Sequence, residues 1–386
     1  MSNDSYHFKE KDNMKLASTL LVLCMALLQS ITYGQGCVAI RSQSCAGNFV
    51  TGSNQTGVMY RGDIVTSLGY RHFKSFRHFR GREEEENRVQ EGTEVINHFD
   101  GFDLGVSYGL TDRLAVTLIL PFAVNDRSSM YEHYGNSEEA NPGRDRFHTQ
   151  SAGPGDIRLS GSYWLFDHTS NGNLALGVTI KFPTGKADVQ DEFHKLDDNG
   201  QDYVITQAVD QSIQLGDDAF GFGLEFQGFQ SLFGNFSLYY NASYLVTPRN
   251  VNNTLRRANA DPENPFSYYS CPDQYAARLG FLYSPFRNLT VGFGGRIEGI
   301  PSSDLFGESE GFRRPGYAIS VEPGISLLLN RFAVSLNVPV AIERNRVKST
   351  SDIINNSHGD AAFADYVINA TVTYLITQHP VMESHN

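Results

Sequence analysis

The chain has 386 residues and a formal net charge of −12, with 36 glycines and with 26 phenylalanines and 19 tyrosines against a single tryptophan. No internal apolar run approaches the ~20 residues that a transmembrane helix needs, and the acidic balance argues against a nucleic-acid partner. A membrane β-barrel passes that hydropathy test unseen, because only alternate residues of each strand face lipid.

Met14 and Lys15 precede a short apolar core, LASTLLVLCMALLQSI, which ends in small residues at Thr32 and Gly34 before Gln35. This predicts a cleaved signal peptide over 1–34, the residues before Met14 being either a long n-region or a misplaced start. A helical anchor fits less well, since the core is short and polar sequence follows at once. Residues 35–57 are then a periplasmic segment or a plug. Cys37 and Cys45 lie there in a polar, turn-prone stretch, where the exported context favours a small disulfide loop over a metal pair. A lipid anchor on Cys37 would want an aliphatic residue three places earlier, where Gly34 stands, and Cys271 is left over.

From residue 58 to 377 strand-like segments follow one another. The clearest pair runs from Gly153 to Gly185, GPGDIRLSGSYWLFDHTSNGNLALGVTIKFPTG. Ile157, Leu159, Tyr163 and Leu165 alternate with Asp156, Arg158, Ser160 and Ser162; beyond a turn, Leu174, Leu176, Val178, Ile180 and Phe182 alternate with Ala175, Gly177, Thr179 and Lys181. One face is apolar and the other small or charged. The same period predicts twelve strands, at 58–79, 94–110, 113–126, 155–167, 173–183, 218–231, 236–248, 274–286, 289–301, 315–329, 331–344 and 363–377.

Short links at 111–112, 167–172, 232–235, 287–288 and 330 alternate with long ones at 80–93, 127–154, 184–217, 249–273, 302–314 and 345–362. That alternation predicts an all-β, 12-stranded antiparallel outer-membrane barrel of a Gram-negative bacterium, with short periplasmic turns, long external loops, both termini periplasmic and a tail at 378–386. Tyr70, Phe79, Tyr108, Phe122 and Tyr283, near strand ends, are expected in the interfacial girdles.

The inward parity is mostly Gly, Ser, Ala, Thr and Asn, interrupted by charges. Asp103, Arg158, Lys181, Glu225, Arg278, Arg296 and Glu322 fall about eight to ten residues from each short turn, which predicts a belt of both signs at one height. Arg71, Arg77, Glu298, Glu343 and Asp365 share that parity nearer the outer rim. Such charges serve either as a salt-bridge lattice bracing the wall or as a constriction that orients a polar or amphipathic solute, and the two are compatible. Twelve strands lined by small residues imply a narrow lumen, into which 35–57, 127–154 or 184–217 could fold. The acidic loops GREEEENRVQEG and DVQDEFHKLDDNGQD read as a solvated, cation-binding face toward lipopolysaccharide.

Rival functions find less support. His72 and His98 have outward parity near the outer strand ends, but no outward Ser in a matching motif faces them, against a lipid-modifying enzyme. The histidines at His358, His379 and His385 are scattered, with no metal-ligand spacing, and GFGLEF and GFGGR open no helix that could cradle phosphate. No catalytic residue, metal or cofactor is expected. The loops lack the repeats or apolar anchor patch that would favour a structural or adhesion barrel.

GPGDIRLSGSYWLF and ALGVTIKFPTGKADV, through Gly153, Gly155, Asp156 and then Pro183, Thr184, Gly185, resemble the outer-membrane barrel family associated with meta-pathway phenol degradation. TDRLAVTLILPF, from Thr111 to Phe122, is similar to the same family's second hairpin, and the likeness covers about residues 94–190. The resemblance implies a channel or transporter for passive diffusion of small solutes, small aromatic or hydrophobic compounds among them. The expected partners are that small-molecule solute, outer-membrane lipid and lipopolysaccharide, and the barrel assembly machinery during insertion. After Tyr374 comes LITQHPVMESHN rather than a terminal aromatic, so the insertion signal would be internal to the last strand or different in kind.

Overall fold

A computed structural model describes residues 58–376; the expected signal peptide over 1–34, Cys37, Cys45, the rest of 35–57 and the tail at 378–386 lie outside the described residues. Among the described residues, twelve strands close the wall: β1 (Ile64–Arg80), β2 (Ile96–Gly109), β3 (Leu114–Ser129), β4 (Arg158–Trp164), β5 (Gly172–Lys181) and β6 (Gly221–Ser231), followed by β7 (Phe236–Val246), β8 (Gln274–Phe286), β9 (Leu289–Ile300), β10 (Gly316–Leu329), β11 (Phe332–Asn337) and β12 (Ile368–Ile376). Each pairs antiparallel with the next, and β12 returns to β1 from Ile64↔Ile376 to His72↔Ile368. The sheet is therefore closed, with both ends of the described barrel on the side of the short turns.

The burial is inverted relative to a soluble sandwich. Leu224, Val178 and Phe293, all outward, are 69%, 61% and 60% exposed, whereas the inward Glu298 and Glu322 are fully buried at 0%. An apolar band of this extent around a closed ladder suits a hydrocarbon solvent, in which no backbone group is left unpaired.

The long connections carry structure of their own. Phe147–Pro154 pairs with the upper half of β3, from Phe122↔Pro154 to Ser129↔Phe147, while β4 takes the lower half. Gln190–Leu196 pairs with Asp202–Ala208, and Val251–Leu255 with Tyr268–Ser270; two short helices, α1 (Glu86–Gln90) and α2 (Thr350–Ile354), sit in the first and last long connections. The first strand begins at Ile64 rather than 58, because 58–63 turns beneath it and Gly62 donates its N–H to the Gly109 carbonyl at 2.8 Å.

Three expectations fail where the ladder slips. Pro339 has no N–H to give, so β11 stops at Asn337 and the strand resumes as Val340–Asn345 against β10. Ser320 faces Ala341 but Ile319 faces Glu343, a bulge of one residue. Glu343 thereby falls on the outward side, where it accepts from the Tyr317 hydroxyl at 2.8 Å and meets Arg82 at 3.0 Å. Arg344 turns inward in its place, 3.5 Å from Asp365. In β1 a similar shift between Ser75 and Arg77 buries Phe79 edge-on against Phe363, at 5.6 Å, and removes it from the girdle. Tyr108, Phe122 and Tyr283 do stand exposed on the outward face.

Gly280 and Gly294 face each other across β8 and β9 and leave room for the inward ring of Tyr239. A Cβ on Gly294 would stand 2.4 Å from the Tyr239 hydroxyl and 2.5 Å from the Leu279 carbonyl oxygen. Gly294→Val should therefore cost about 1–3 kcal/mol in overpacking. The test is the temperature at which the heat-modifiable band of the folded barrel disappears on a gel; a transition unmoved by the substitution would show that the Tyr239 ring is not fixed there.

Candidate functional site

Three of the seven belt residues share one lattice. Glu322 accepts from Arg278 Nε at 2.7 Å, lies 3.6 Å from Arg296 Nη1 and also accepts from Asn337 Nδ2. Arg296 Nη2 donates to Glu298 at 2.7 Å, and the same Glu298 oxygen lies 3.5 Å from Arg71 Nη2. Arg71 is on β1 and Glu298 on β9, with β10, β11 and β12 between them around the wall, so this pair spans the interior rather than running along it. Two carboxylates without solvent exposure persist because each meets more than one cation or amide donor.

The other four lie elsewhere on the inward face. Lys181 binds Asp217, stands 3.6 Å from Asp156, and is opposite Arg158 across β4 and β5. Glu225 accepts from Asn241 Nδ2 at 3.1 Å, and Asp103 stands between Gly69 on β1 and Pro121 on β3. Arg77 is held by Glu84 and by Asp365, the latter at 3.1 Å.

The two glycine-rich phrases meet each other. Thr184 Oγ1 donates to the Gly155 carbonyl at 3.0 Å and accepts from the Ile157 N–H at 2.9 Å, while Asp156 accepts from the Gly185 N–H at 2.9 Å. This clasp marks the height at which β4 gives way to Phe147–Pro154 as the partner of β3. A Cβ at Gly185 would lie 2.6 Å from the Leu215 carbonyl oxygen, so the phrase leaves room for a third segment.

That segment is 209–216. Asp210 caps the short 3-10 turn Gln211–Ile213, whose Ile213 carbonyl accepts from Ser151 and, at 3.4 Å, from Asn125, both on the inward side of the wall. Arg314 grips Asp210 with two bonds of 2.8 and 2.7 Å, and Arg127 approaches it at 3.6 Å while binding Glu132 through two bonds of 2.9 Å. Burial disfavours the Asp210 charge, yet Arg127 and Arg314 hold its carboxyl far below the usual range. The connection 184–217 thus does enter the barrel.

Above it all six long connections converge on a cavity of about 1000 Å³. It is lined by Arg88, Arg127, Lys195, Arg256, Arg257, Arg313, Arg314 and Arg346 against Glu132, Asp210, Asp352 and Asp360. The sequence reading missed this basic vestibule, although the doublets Arg256-Arg257 and Arg313-Arg314 were visible. Part of the acidic run in the first loop is spent internally, since Glu84 binds Arg77 and Glu85 binds Arg80. On the outward side His72 is 2.9 Å from Asp100, which also accepts from the Tyr70 hydroxyl at 2.6 Å. Cys271 is buried with its thiol donating to the Asp217 carbonyl at 3.1 Å, and burial pushes that thiol up to about 12, which makes it unreactive.

No family model and no curated protein matches the sequence. Among solved structures, an outer membrane channel from Pseudomonas putida F1 is 11% identical over 82% of this chain and 97% of its own, with a TM-score of 0.54. The Pseudomonas putida toluene transporter TodX (10% identical, 89% and 98% covered) and the monoaromatic hydrocarbon channel CymD (8%, 89% and 96%) both reach only 0.44 and decide nothing here. Fold and solvent-facing pattern together define this protein as an outer-membrane β-barrel of twelve strands.

The last long connection is pinned by a carboxylate. Burial opposes charge on Asp352, yet the Ser349 N–H at 2.9 Å, Arg346 at 2.9 Å and the Gly359 N–H at 3.0 Å lower its carboxyl from 3.8 to about 2. A depressed carboxylate contributes stability above its ordinary value and loses it as pH falls through the folded one. Pepsin should therefore cut within 346–359 only as pH drops from 3.8 toward about 2, and Asp352→Asn should be cut throughout the enzyme's range. Equal cleavage of both proteins would remove Asp352 as the pin.

Proposed function

We propose that the protein is a passive channel for small solutes, with its long loops outside the cell and both ends of the chain in the periplasm. The observation that carries this reading is the convergence of all six long connections on one vestibule whose floor includes Arg127, an inward residue of the wall. The Pseudomonas putida F1 protein of the same fold is an outer membrane channel, which supports it.

Small aromatic or hydrophobic compounds suit the interior. Phe73 and Phe99 stack at 4.8 Å on the inward face toward the loops, and Trp164 meets Phe229 edge-on at 6.1 Å near the short turns. Between these aromatic pairs the charges at Asp103, Arg158, Lys181, Glu225, Arg278 and Arg296 would orient the polar end of a solute and set ion preference, with the fully buried Glu322 acting through the two arginines it holds. Export by a signal peptide over 1–34, a Cys37–Cys45 disulfide, insertion by the barrel assembly machinery and exposed loop acids such as Glu83 and Glu86 facing lipopolysaccharide belong to the same reading, in which the barrel is no enzyme.

Single-channel recording of the refolded protein in a planar bilayer under a salt gradient tests it. Discrete steps are expected, and Arg158→Gln with Lys181→Gln should shift the reversal potential toward cation preference. An unchanged potential would remove these two from selectivity. Silence from protein shown to be folded by heat-modifiable migration would replace the channel with a closed, structural barrel.

A further inference from the structure

The vestibule holds more positive charge than its acids neutralise. Arg127 and Arg314 share Asp210, Arg313 is bound by Asp304 at 2.5 Å, Arg346 by Asp352 at 2.9 Å, and Arg88 by Asp360 at 3.2 Å. Among the described residues, neither Arg256 nor Arg257 has a carboxylate partner. Lys195 is in the same position: its ammonium donates only to the carbonyls of Glu132 and His133, at 2.7 and 3.2 Å.

Arg256 is half-buried, and its guanidinium lies over the ring of Phe312, 4.5 Å from the centroid; Arg314 lies 4.7 Å from the same centroid. Burial and the neighbouring charges of Arg257 and Arg314 push Arg256 below its ordinary pKa. Like charges held close together repel, and a bound anion relieves that repulsion. The hollow is also aromatic, since Tyr131, Phe193, Tyr203 and Tyr269 line it beside Phe312. A planar guanidinium fork matches a carboxylate, and ring faces match a ring.

We propose that the vestibule is a binding site for a small aromatic carboxylate, its anion seated by Arg256 and Arg257 and its ring among Phe312 and the tyrosines. The site names a substrate class for the channel proposed above and rests on that reading for its role, but binding can be measured whether or not the barrel conducts. In a chain whose net charge is −12, such a basic hollow draws organic anions to the mouth and repels cations there.

Isothermal titration of the folded protein in detergent at low salt, with benzoate as the probe, provides the test. Benzoate should bind at least tenfold more tightly than benzyl alcohol, acetate or inorganic phosphate, and its affinity should fall with added salt. Arg256→Gln and the exposed Arg257→Gln should each weaken it tenfold or more, while Arg61→Gln, exposed at the short-turn end, should leave it unchanged. Because Arg257 is on the surface, its variant reports even if Arg256→Gln does not fold. Phosphate binding as well as benzoate would make the hollow a general anion trap and overturn the assignment, as would benzoate binding that neither arginine variant weakens. Failure of the channel reading would show separately, as absent conductance with benzoate binding intact.

Discussion

The ladder between β1 and β12 is the interaction on which the rest depends. In hydrocarbon each unpaired backbone N–H or carbonyl costs several kcal/mol, so a sheet with an open edge cannot span the membrane. Pairing Ile64–His72 with Ile368–Ile376 removes both edges at once. Closure also decides where every charge goes. With lipid outside, the ionic side chains at membrane depth face inward and find opposite charge there, and outward acids such as Asp100 and Glu343 stand only toward the loop ends of their strands.

The interior shows how that demand is met. Glu298 and Glu322 are fully buried, and each is reached by two arginines. Because Arg71 and Glu298 belong to strands that are not neighbours, the lattice works as a cross-brace as well as a charge balance. Nearer the loops Asp210 plays the corresponding part, holding 209–216 inside the wall between arginines from β3 and from the connection that precedes β10. The acids that line the vestibule are committed to this architecture, and the uncommitted charge inside it is basic.

The strand count and the five short turns were legible because lipid enforces a period of two on each strand's outer face, as in Leu114, Val116, Leu118 and Leu120 of β3. Parity counted straight through a strand fails at a bulge, and this is why Glu343 and Arg344 exchange faces and Phe79 moves inside. The pairing of Phe147–Pro154 with β3 was not legible, since β3 has two successive partners and no local pattern says where one yields to the other. The vestibule was hidden for a different reason. Arg314 meets Asp210 across 104 residues of sequence, whereas the acid runs that drew attention are contiguous.

The seam also imposes an order in time. Arg77 and Asp365, joined beside it, are 288 residues apart, so nearly the whole barrel must be laid down before the contact can form. Contacts of such separation make folding slow, and until they form the sheet keeps two bare edges able to pair with any other strand. Arg88 and Asp360 link the first long connection to the last across the same seam. The vestibule can therefore reach its final shape only after the wall has shut, and an ordered mouth is a record that insertion ran to completion.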